Sequence, residues 1–328
     1  MANINILVLG GHKSGKTCFM LGMYDDMRVG YGGFTFRATD GDVGRKLVER
    51  FGRLLGLKEH SRWPVGTDIL DDYEFSLNFA LRRFMLFNWY DYRGGIISET
   101  GEPYHEVREL TEQADMVMIC APGALLYRAS FKRDREAARS LLIAEIQQLM
   151  VSDRDVRPSV TILVTKFDEF AGLYRNDHGD VDEDTIQTEL LAAVRRQYQT
   201  FFAAGGGWRV MVCPVSLGPK VFADPDGAEI TPQNMHLPVM FAYHEHARDL
   251  ARAWAERISA TKTKVAELTG GFFGGRFTKG RTREALADLA TLQGHQQTVQ
   301  SRISIIVENL PEGLFFDDGA PRTLSGEG

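Results

Sequence analysis

Short apolar runs alternate with longer stretches of helical periodicity over most of this 328-residue chain. Apolar runs of four to eight residues bounded by turn residues predict buried strands. They cover residues 4–9, 116–121, 159–164 and 208–215. Helices are predicted between these strands and after the last one, mostly from apolar positions spaced three or four apart and, for the first helix, from a stretch with no proline and a single glycine. The helices are expected near residues 18–27, 43–57, 131–150, 185–201 and 239–268.

A different pattern lies between the first two buried strands. Residues 73–79 alternate strictly between polar and apolar side chains, and residues 84–90 form a nearly continuous apolar run. Together they predict an antiparallel hairpin with its turn near Leu81 and Arg82. Residues 34–39 alternate like a short edge strand. The predicted fold is therefore α/β, a three-layer and mostly parallel sheet with one antiparallel strand from the hairpin.

The C-terminal part differs in character from the rest. A break rich in glycine and phenylalanine separates residues 1–268 from a predicted helical extension over residues 269–310. The first part is expected to be one large domain with insertions near residues 30–60 and 219–236. Residues 311–328 are predicted to be a disordered tail.

Composition narrows the class of protein. Hydrophobic residues make up 44% of the chain and charged residues 25%, which is typical of a soluble globular protein. The formal charge of −6 argues against generic binding of nucleic acid. Three scattered cysteines without zinc spacing predict reduced thiols, and no apolar run is long enough to cross a bilayer. With no signal peptide expected, we predict a cytoplasmic protein.

Basic residues bracket the phenylalanines of residues 272–283. A basic and aromatic segment of this kind suits a membrane surface or an acidic partner. A solvated face is the commoner outcome for such a charge cluster and is the alternative to membrane contact here.

The first chemical motif is Gly-Gly-His-Lys-Ser-Gly-Lys-Thr, residues 10–17. It follows a predicted strand and precedes a predicted helix, which is the context of a phosphate-binding loop. Gly10 and Gly15 allow the backbone to turn with its N–H groups inward, and the helix N-terminus adds partial positive charge. Lys16 would reach the β- and γ-phosphates, and the Thr17 hydroxyl would bind Mg²⁺. This pattern predicts a nucleotide site of the P-loop NTPase type; the alternative is a glycine-rich turn with a chance Lys-Thr.

Three further motifs come directly after predicted strands. They are Asp91-Tyr92-Arg93-Gly94, Thr165-Lys166-Phe167-Asp168 and Ser216-Leu217-Gly218. Because ligands of open α/β sheets bind beyond the carboxyl ends of the strands, all four motifs are expected at one edge of the sheet. Asp91 would hold Mg²⁺ through water while the Gly94 N–H faces the γ-phosphate. The alternative for Asp91 is an ordinary turn after a strand.

Together these motifs resemble those of GTPases of the Ras-like, translation-factor-related class, over about residues 4–268. The resemblance implies that the Asp168 carboxylate accepts hydrogen bonds from guanine N1 and the 2-amino group, donors that adenine lacks. It also implies that the Lys166 stem lies along the purine ring. A backbone N–H of the Ser216-Leu217 element would meet guanine O6. The implied ligand is GTP or GDP with Mg²⁺.

The resemblance defines a set of expected nucleotide contacts. They are Gly10, His12, Lys13, Ser14, Gly15, Lys16, Thr17, Cys18, Thr165, Lys166, Asp168, Ser216 and Leu217. The expected metal ligands are Thr17, Thr67 and Asp91. Thr67 is the preferred switch threonine because it precedes the hairpin, in a Trp63-Pro64 context that resembles bacterial double-GTPases. Thr35 and Thr39 compete for this role, and the alternative for Thr67 is a helix cap.

The chain departs from the resemblance at the catalytic positions. Gly95 stands where Ras-like members carry a water-positioning glutamine, so the expected catalytic residues are Lys13, Lys16, Thr67 and Gly94. His12 would obstruct an arginine finger from a separate protein. Lys13 occupies the place where guanylate-binding and atlastin-like GTPases carry a catalytic arginine in cis. A solvent-facing Lys13 that only raises phosphate affinity is the commoner alternative.

Three functions therefore remain open. The first is a slow, Mg²⁺-dependent GTPase switch whose loops near Thr67 and Gly94 regulate a protein partner. The second is a GTP-binding structural subunit that does not hydrolyse GTP, which Gly95 favours. The third is a P-loop ATPase or kinase, which the Thr165–Asp168 motif disfavours.

Overall fold

Nine strands form a single sheet in this computed structural model, which describes residues 3–56, 63–64, 71–92, 102–151, 154, 156–174, 182–219, 221, 229–270, 278–308, 310 and 314–324. The strands are β1 (Ile4–Leu9), β2 (Phe34–Ala38), β3 (Asp71–Phe79), β4 (Arg82–Asp91), β5 (Met116–Pro122), β6 (Ser159–Thr165), β7 (Arg209–Pro214), β8 (Phe315–Asp317) and β9 (Ala320–Arg322). Their order across the sheet is β2-β3-β4-β1-β5-β6-β7-β8-β9.

The centre of the sheet is parallel and its two sides are antiparallel. Strands β4, β1, β5, β6 and β7 run in one direction. Strand β3 is antiparallel to β4 and to β2, and β8 is antiparallel to β7 and β9. The predicted α/β class with a mostly parallel sheet is confirmed. So are the edge position of β2 and the β3–β4 hairpin, whose turn residues Ala80 and Leu81 have positive φ.

Helices connect the strands in the expected alternation. Their bounds are α1 (Lys16–Val29), α2 (Gly41–Leu54), α3 (Glu102–Gln113), α4 (Gly123–Phe131), α5 (Arg135–Ser140), α6 (Ile143–Leu149), α7 (Phe167–Gly172), α8 (Glu183–Gln197), α9 (Leu237–Gly270) and α10 (Thr278–Val307). None of these described helices combines the length and the apolarity needed to span a membrane.

Helices pack on both faces of the sheet. Leu7 and Leu9 of β1 belong to a buried cluster with apolar residues of α3 to α8. Ile6 faces the other way and is also fully buried. It lies in register with Trp89 of β4, whose ring is 6.1 Å from the ring of Phe19 on α1. Both faces of the sheet are therefore covered, as near-continuous apolar strands require.

The single helix predicted over residues 131–150 is wrong. The chain instead forms the end of α4, then α5 and α6, with Arg133 and Leu142 at the breaks, both with positive φ (54° and 53°). Asp134 caps α5, since its side chain accepts hydrogen bonds from the N–H groups of Glu136 and Ala137. No glycine or proline in the sequence marks these breaks, so periodicity alone gives one long helix.

Within the tail predicted to be disordered, residues 311–328, the described residues 314–324 instead contain two strands. Phe315 and Phe316 are buried, and β8 pairs with β7 while β9 pairs with β8. The turn between them is Asp318-Gly319, with φ of 49° and 80°. Positive φ at both positions is what a two-residue hairpin requires, and it adds a second antiparallel element to the sheet.

The chain divides into two compact units. The first comprises Met1–Ala242 and Pro311–Thr323 and contains the sheet. The second comprises Tyr243–Leu310 and Leu324–Gly328, where the Trp254 ring of α9 lies 5.3 Å from the His295 ring of α10. The sequence places a boundary at residue 268, whereas the units divide within α9, a helix without an internal break.

Candidate nucleotide-binding site

The phosphate loop of residues 10–15 connects β1 to α1. Gly10 and Gly15 have φ of 151° and 93°, and Lys13 between them has φ of 59°. A Cβ on Gly10 would lie 2.8 Å from Ser14 Oγ and 2.9 Å from the carbonyl oxygen of Cys120. Glycine is thus required at position 10 by the close approach of β5 as well as by the turn.

The side chain of Lys16, the first residue of α1, extends back into this loop. Its Nζ donates hydrogen bonds to the carbonyl oxygens of Gly10 (2.9 Å) and Gly11 (3.2 Å), and the residue is 6% exposed. Burial lowers the pKa of Lys16, an effect that Cys120 and Asp91 oppose. A buried cation at a helix N-terminus is a strong attractor for an anion.

His12 and Lys13 lie on the exposed side of the same loop. Neither side chain is packed into the protein, although both line the cavity described below. Lys13 adopts the left-handed conformation, which is uncommon for a residue with a Cβ. The loop therefore presents one buried and one exposed ammonium group to the same space.

Thr165 connects the phosphate loop to the motif at the end of β6. Its Oγ1 donates a hydrogen bond of 2.6 Å to the carbonyl oxygen of Ser14. A Cβ on Gly15 would lie 3.3 Å from Cβ of Thr165, so the two segments are in direct contact. Motifs 151 residues apart in the chain are thus locked together at one edge of the sheet.

The rest of the Thr165–Asp168 motif begins α7. Lys166 has φ of 50°, and the Phe167 N–H donates to the Val215 carbonyl at 3.1 Å. Asp168 is 8% exposed. Lys166 Nζ lies 3.8 Å from a carboxylate oxygen of Glu169; burial raises the pKa of Glu169, with Lys166 opposing.

The Ser216–Gly218 element follows β7. The Gly218 N–H donates to Ser216 Oγ at 3.0 Å, and the Val215 N–H donates to the Val164 carbonyl at 2.9 Å. Ser216 and Leu217 are both buried. This loop is thereby fixed beside the α7 N-terminus.

A cavity of about 770 Å³ joins these three motifs. Its walls include most of the expected nucleotide contacts, which are His12, Lys13, Ser14, Gly15, Lys16, Thr17, Cys18, Thr165, Lys166, Asp168, Ser216 and Leu217. Gly10 contributes through its carbonyl to Lys16. Burial raises the pKa of the Cys18 thiol to about 11, with Lys166 opposing, so this cavity wall carries a neutral thiol at pH 7. The cavity lies at the carboxyl ends of β1, β6 and β7, where open α/β sheets bind ligands.

Several wall residues lie outside the expected set. They are Phe19, Trp63, Pro64, Glu169, Val215, Val221 and Met235. Glu169 directly follows Asp168, so its position beside the motif is a sequence signal that could have identified it as a residue of the cavity wall. Val221 and Met235 carry no sequence signal, because only the path of the chain after β7 brings them to the cavity.

Asp91 ends β4 at the same edge of the sheet. It lies in register with Val8 of β1 and Asp71 of β3. The residue is 1% exposed, and neither carboxylate oxygen has a hydrogen-bond partner among the described residues. Burial raises the pKa of Asp91 to about 6, which Lys16 and Arg50 oppose and Asp71 reinforces.

The orphaned Asp91 carboxylate is the observation that bears on a metal. Buried carboxylates without a partner are rare in folded proteins, and a divalent cation would satisfy this one. Thr17 supplies a hydroxyl on the cavity wall. Among the described residues, no group of three or more His, Cys, Asp and Glu side chains could hold a metal by itself. The residues present therefore fit a Mg²⁺ ion that shares its ligands with a bound phosphate.

Most of the residues expected to act as switches lie outside the part of the chain that the structure describes. Thr67, Gly94 and Gly95 are outside the described residues, so their expected roles stay predictions. Of the two competing threonines, Thr35 lies in β2 and pairs with Asn78, whereas Thr39 directly follows that strand, and its N–H donates to the Glu74 carbonyl at 2.9 Å.

Comparison with known proteins gives no family assignment. No protein-family model and no curated protein matches the chain. Two similar solved structures are the GTPase-like domain of Ski7 from S. cerevisiae bound to GTP and the signal recognition particle receptor SRb-GTP/SRX complex from Chaetomium thermophilum.

Both similarities are distant. The Ski7 domain is 14% identical with a TM-score of 0.37, over 65% of this chain and 42% of that one. The SRb structure is 14% identical with a TM-score of 0.32, over 66% of this chain and 91% of that one. This chain thus spans less than half the length of the Ski7 chain. Both neighbours are described as GTP-bound, but TM-scores below 0.5 assign no family to this protein.

Proposed function

We propose that this protein binds GTP and GDP with Mg²⁺ and hydrolyses GTP slowly, as a molecular switch. One observation carries the proposal: a single cavity is walled by the phosphate loop, by Asp168 and by the Ser216-Leu217 element. The bond from Thr165 Oγ1 to the Ser14 carbonyl ties the first two together. A phosphate site and a purine-reading carboxylate in one cavity are suited to a guanine nucleotide.

At the phosphate end, the chain's own groups provide the binding energy. Lys16 would exchange its bonds to the Gly10 and Gly11 carbonyls for the β- and γ-phosphates, because charge-assisted hydrogen bonds are roughly twice as strong as neutral ones. Thr17 and Asp91 would hold Mg²⁺, with Thr67 as the third expected ligand. The ion would neutralise charge on the β- and γ-phosphate oxygens.

At the base end, selectivity follows from burial. The buried Asp168 carboxylate would accept hydrogen bonds from guanine N1 and the 2-amino group, two donors that adenine does not offer. Lys166 would lie along the purine, held by its ion pair with Glu169. A backbone N–H of the Ser216-Leu217 element would meet O6.

For hydrolysis, we assign the stabilisation of the transition state to Lys13. Its backbone holds it in the left-handed conformation on the exposed side of the phosphate loop. From there its ammonium group would offset charge on the transferring phosphoryl group. Loops containing Thr67 and Gly94 would order with GTP and relax after hydrolysis, which would control a protein partner.

A structural subunit that binds GTP without hydrolysing it is the second candidate. Gly95 in place of a water-positioning glutamine favours it. The two candidates share one binding site and differ in the turnover of bound GTP.

Both proposals require that the cavity binds a guanine nucleotide, so identifying the bound ligand tests them together. We expect nucleotide released from the purified protein to chromatograph as GDP or GTP. Equilibrium titration of the emptied protein should show GDP bound on the order of a hundredfold more tightly than ADP, because adenine offers neither of the two donors that Asp168 would read. Adenine nucleotide in the purified protein, or equal affinities, would overturn the guanine assignment. Single-turnover hydrolysis of bound GTP then separates the switch from the structural subunit.

A further inference from the structure

The chain that follows the Ser216–Gly218 element returns to that element and holds it. We call residues 229–236 the brace; they follow the insertion after β7 and lead into α9. The Thr231 N–H donates to the Leu217 carbonyl at 2.7 Å, and the Gln233 N–H donates to the Ser216 carbonyl at 2.9 Å. The loop expected to contact guanine O6 is therefore paired along its length with a second segment.

A side-chain relay reinforces the backbone pairing. The Gly218 N–H donates to Ser216 Oγ at 3.0 Å, and Ser216 Oγ in turn donates to Gln233 Oε1 at 3.3 Å. Ser216 is 3% exposed, so its hydroxyl has little access to water as a substitute. Gln233 thus fixes the direction of the hydroxyl on which the turn at Gly218 depends.

The brace packs so closely against Gly218 that a side chain does not fit at this position. A Cβ at this position would lie 2.9 Å from Thr231 Oγ1 and 3.1 Å from the Glu229 carbonyl oxygen. The residue also has φ of 148°. The brace and the loop fit against each other only because position 218 has no side chain.

The other side of the brace is anchored to α1. A Cβ on Gly22 would lie 3.4 Å from Cε of Met235, which also lines the cavity. His236 Nδ1 lies 3.5 Å from an Asp26 carboxylate oxygen, and its ring stacks on Tyr31 with centroids 3.6 Å apart. The brace is therefore held between the base end of the cavity and the helix that begins at the phosphate loop.

We propose that Gln233 is a positioning residue for guanine recognition, acting through Ser216 on the backbone N–H groups that meet O6. The inference rests on the proposed binding of guanine nucleotides and extends it to a segment outside the recognised motifs. A loop held at one position presents its N–H group where O6 lies, whereas a relaxed loop must be ordered when the nucleotide binds. Asp168 lies on a different element, α7, so its contacts to N1 and the 2-amino group should persist without Gln233.

Two nucleotide analogues separate these contacts. In 6-thio-GDP, sulfur replaces O6 and accepts hydrogen bonds poorly, while N1–H and the 2-amino group remain. IDP retains O6 but lacks the 2-amino group that Asp168 would read. The ratio of dissociation constants for 6-thio-GDP and GDP therefore reports the O6 contact, and the ratio for IDP and GDP reports the Asp168 contact.

The test measures both ratios in the full chain with Gln233→Leu and Gln233→Glu. Leucine keeps much of the volume without an acceptor, and we expect the 6-thio-GDP to GDP ratio to fall roughly three- to tenfold, the worth of about one hydrogen bond. The IDP to GDP ratio should stay unchanged. Glutamate retains an acceptor oxygen and should restore the wild-type ratio. Gln148→Leu, an exposed glutamine on α6, is the matched control.

A second variant keeps the test decisive if the side chain alone has little effect. Gly218→Ala pushes the brace away from the loop and should lower the same ratio by more than Gln233→Leu does. Equal losses for GDP, IDP and 6-thio-GDP in these variants would contradict the inference, because that pattern indicates general destabilisation. If the wild type itself shows no preference for GDP over ADP, the proposed function fails instead.

Discussion

The proposed phosphate end and the proposed base end of the cavity are built in opposite ways. The phosphate end comes from one contiguous stretch, residues 10–17, in which backbone conformation and a single helix N-terminus create the site. The base end is assembled from the Thr165–Asp168 motif, the Ser216–Gly218 element and the brace. The first end depends on local geometry, and the second depends on three segments meeting.

This difference predicts different consequences of mutation. A change at the phosphate end removes contacts that every nucleoside triphosphate shares, so it should lower affinity without regard to the base. A change at the base end should alter which nucleotide binds. Thr165 connects the two ends, because its hydroxyl donates a hydrogen bond from the Thr165–Asp168 motif to the Ser14 carbonyl of the phosphate loop.

Lys16→Ala tests the phosphate end, with the largest expected effect. The variant loses its charge-assisted phosphate contacts, so GDP and GTP affinity should fall about a hundred- to ten-thousandfold. Thr17→Ala removes a proposed Mg²⁺ ligand, so it should abolish the binding of nucleotide that depends on Mg²⁺. Titration with labelled nucleotide measures both, with Lys46→Ala on the exposed face of α2 as the control. Unchanged affinity in both variants would refute the site.

Asp168→Asn tests the base end. The amide presents a donor where guanine N1–H and the 2-amino group need an acceptor, so guanine preference should fall on the order of a hundredfold. Xanthine nucleotides, which carry an acceptor at position 2, should gain affinity. Competition between GTP and XTP measures the change, with Asp184→Asn on α8 as the control. If GTP affinity holds and XTP stays excluded, Asp168 does not read the base.

Lys13→Ala separates catalysis from binding within the phosphate end. If the Lys13 ammonium acts during phosphoryl transfer, kcat should fall roughly ten- to a thousandfold while GTP affinity changes little. Lys13→Arg should keep much of the rate. Single-turnover hydrolysis beside equilibrium titration distinguishes the outcomes, with Lys132→Ala as the control. Equal losses of rate and affinity would assign Lys13 to binding only, and no turnover in the wild type would favour the structural subunit.

Asp91→Asn gives a smaller effect, on stability. Because burial raises the pKa of Asp91 from 3.8 to about 6, the folded protein holds this proton more tightly than the unfolded chain. At pH 7 the carboxylate is charged in both states, and its burial lowers the free energy of unfolding by about 3 kcal/mol at most. Below pH 4 it is protonated in both states, so the penalty disappears.

The nucleotide-free asparagine variant should therefore unfold at higher denaturant concentration than the wild type at pH 7. This gain should shrink as the pH falls through 6 towards 4. Chemical unfolding in EDTA at several pH values checks the prediction, with Asp72→Asn on an exposed position of β3 as the control. A gain that is independent of pH would show that charge burial is not the cause. Mg²⁺-dependent nucleotide binding should weaken in the same variant.

The sequence predicts the phosphate loop well because its structure is local. Gly10 and Gly15 are the residue type that the positive φ of the loop favours, and Lys16 supplies the ammonium group. The flanking strand and helix follow from a short apolar run and its continuation. The β8–β9 hairpin also has a local signal, Asp318-Gly319, which the expectation of a disordered tail overlooked.

The broken helix between residues 131 and 150 has no such signal. Arg133 and Leu142 adopt positive φ although neither is glycine or asparagine. A Cβ on Gly11 would lie 2.8 Å from the Ser140 carbonyl oxygen, so the break brings the α5–α6 junction against the phosphate loop. Contacts between segments this distant in sequence override helical propensity, which periodicity cannot anticipate.

By itself, the sequence determined the α/β class and the order of most strands and helices, and it identified the Gly10–Thr17 and Thr165–Asp168 segments that the structure brings together at one edge of the sheet. Those features depend on side-chain identity and on spacing within a few residues. Only the tertiary structure decided that Gln233 supports Ser216, that the buried Asp91 carboxylate has no hydrogen-bond partner among the described residues, and that Val221 and Met235 line the cavity. Each of these features is a contact, or the absence of one, between residues that are distant in the sequence. Local sequence patterns do not specify such contacts, because they depend on how the whole chain packs.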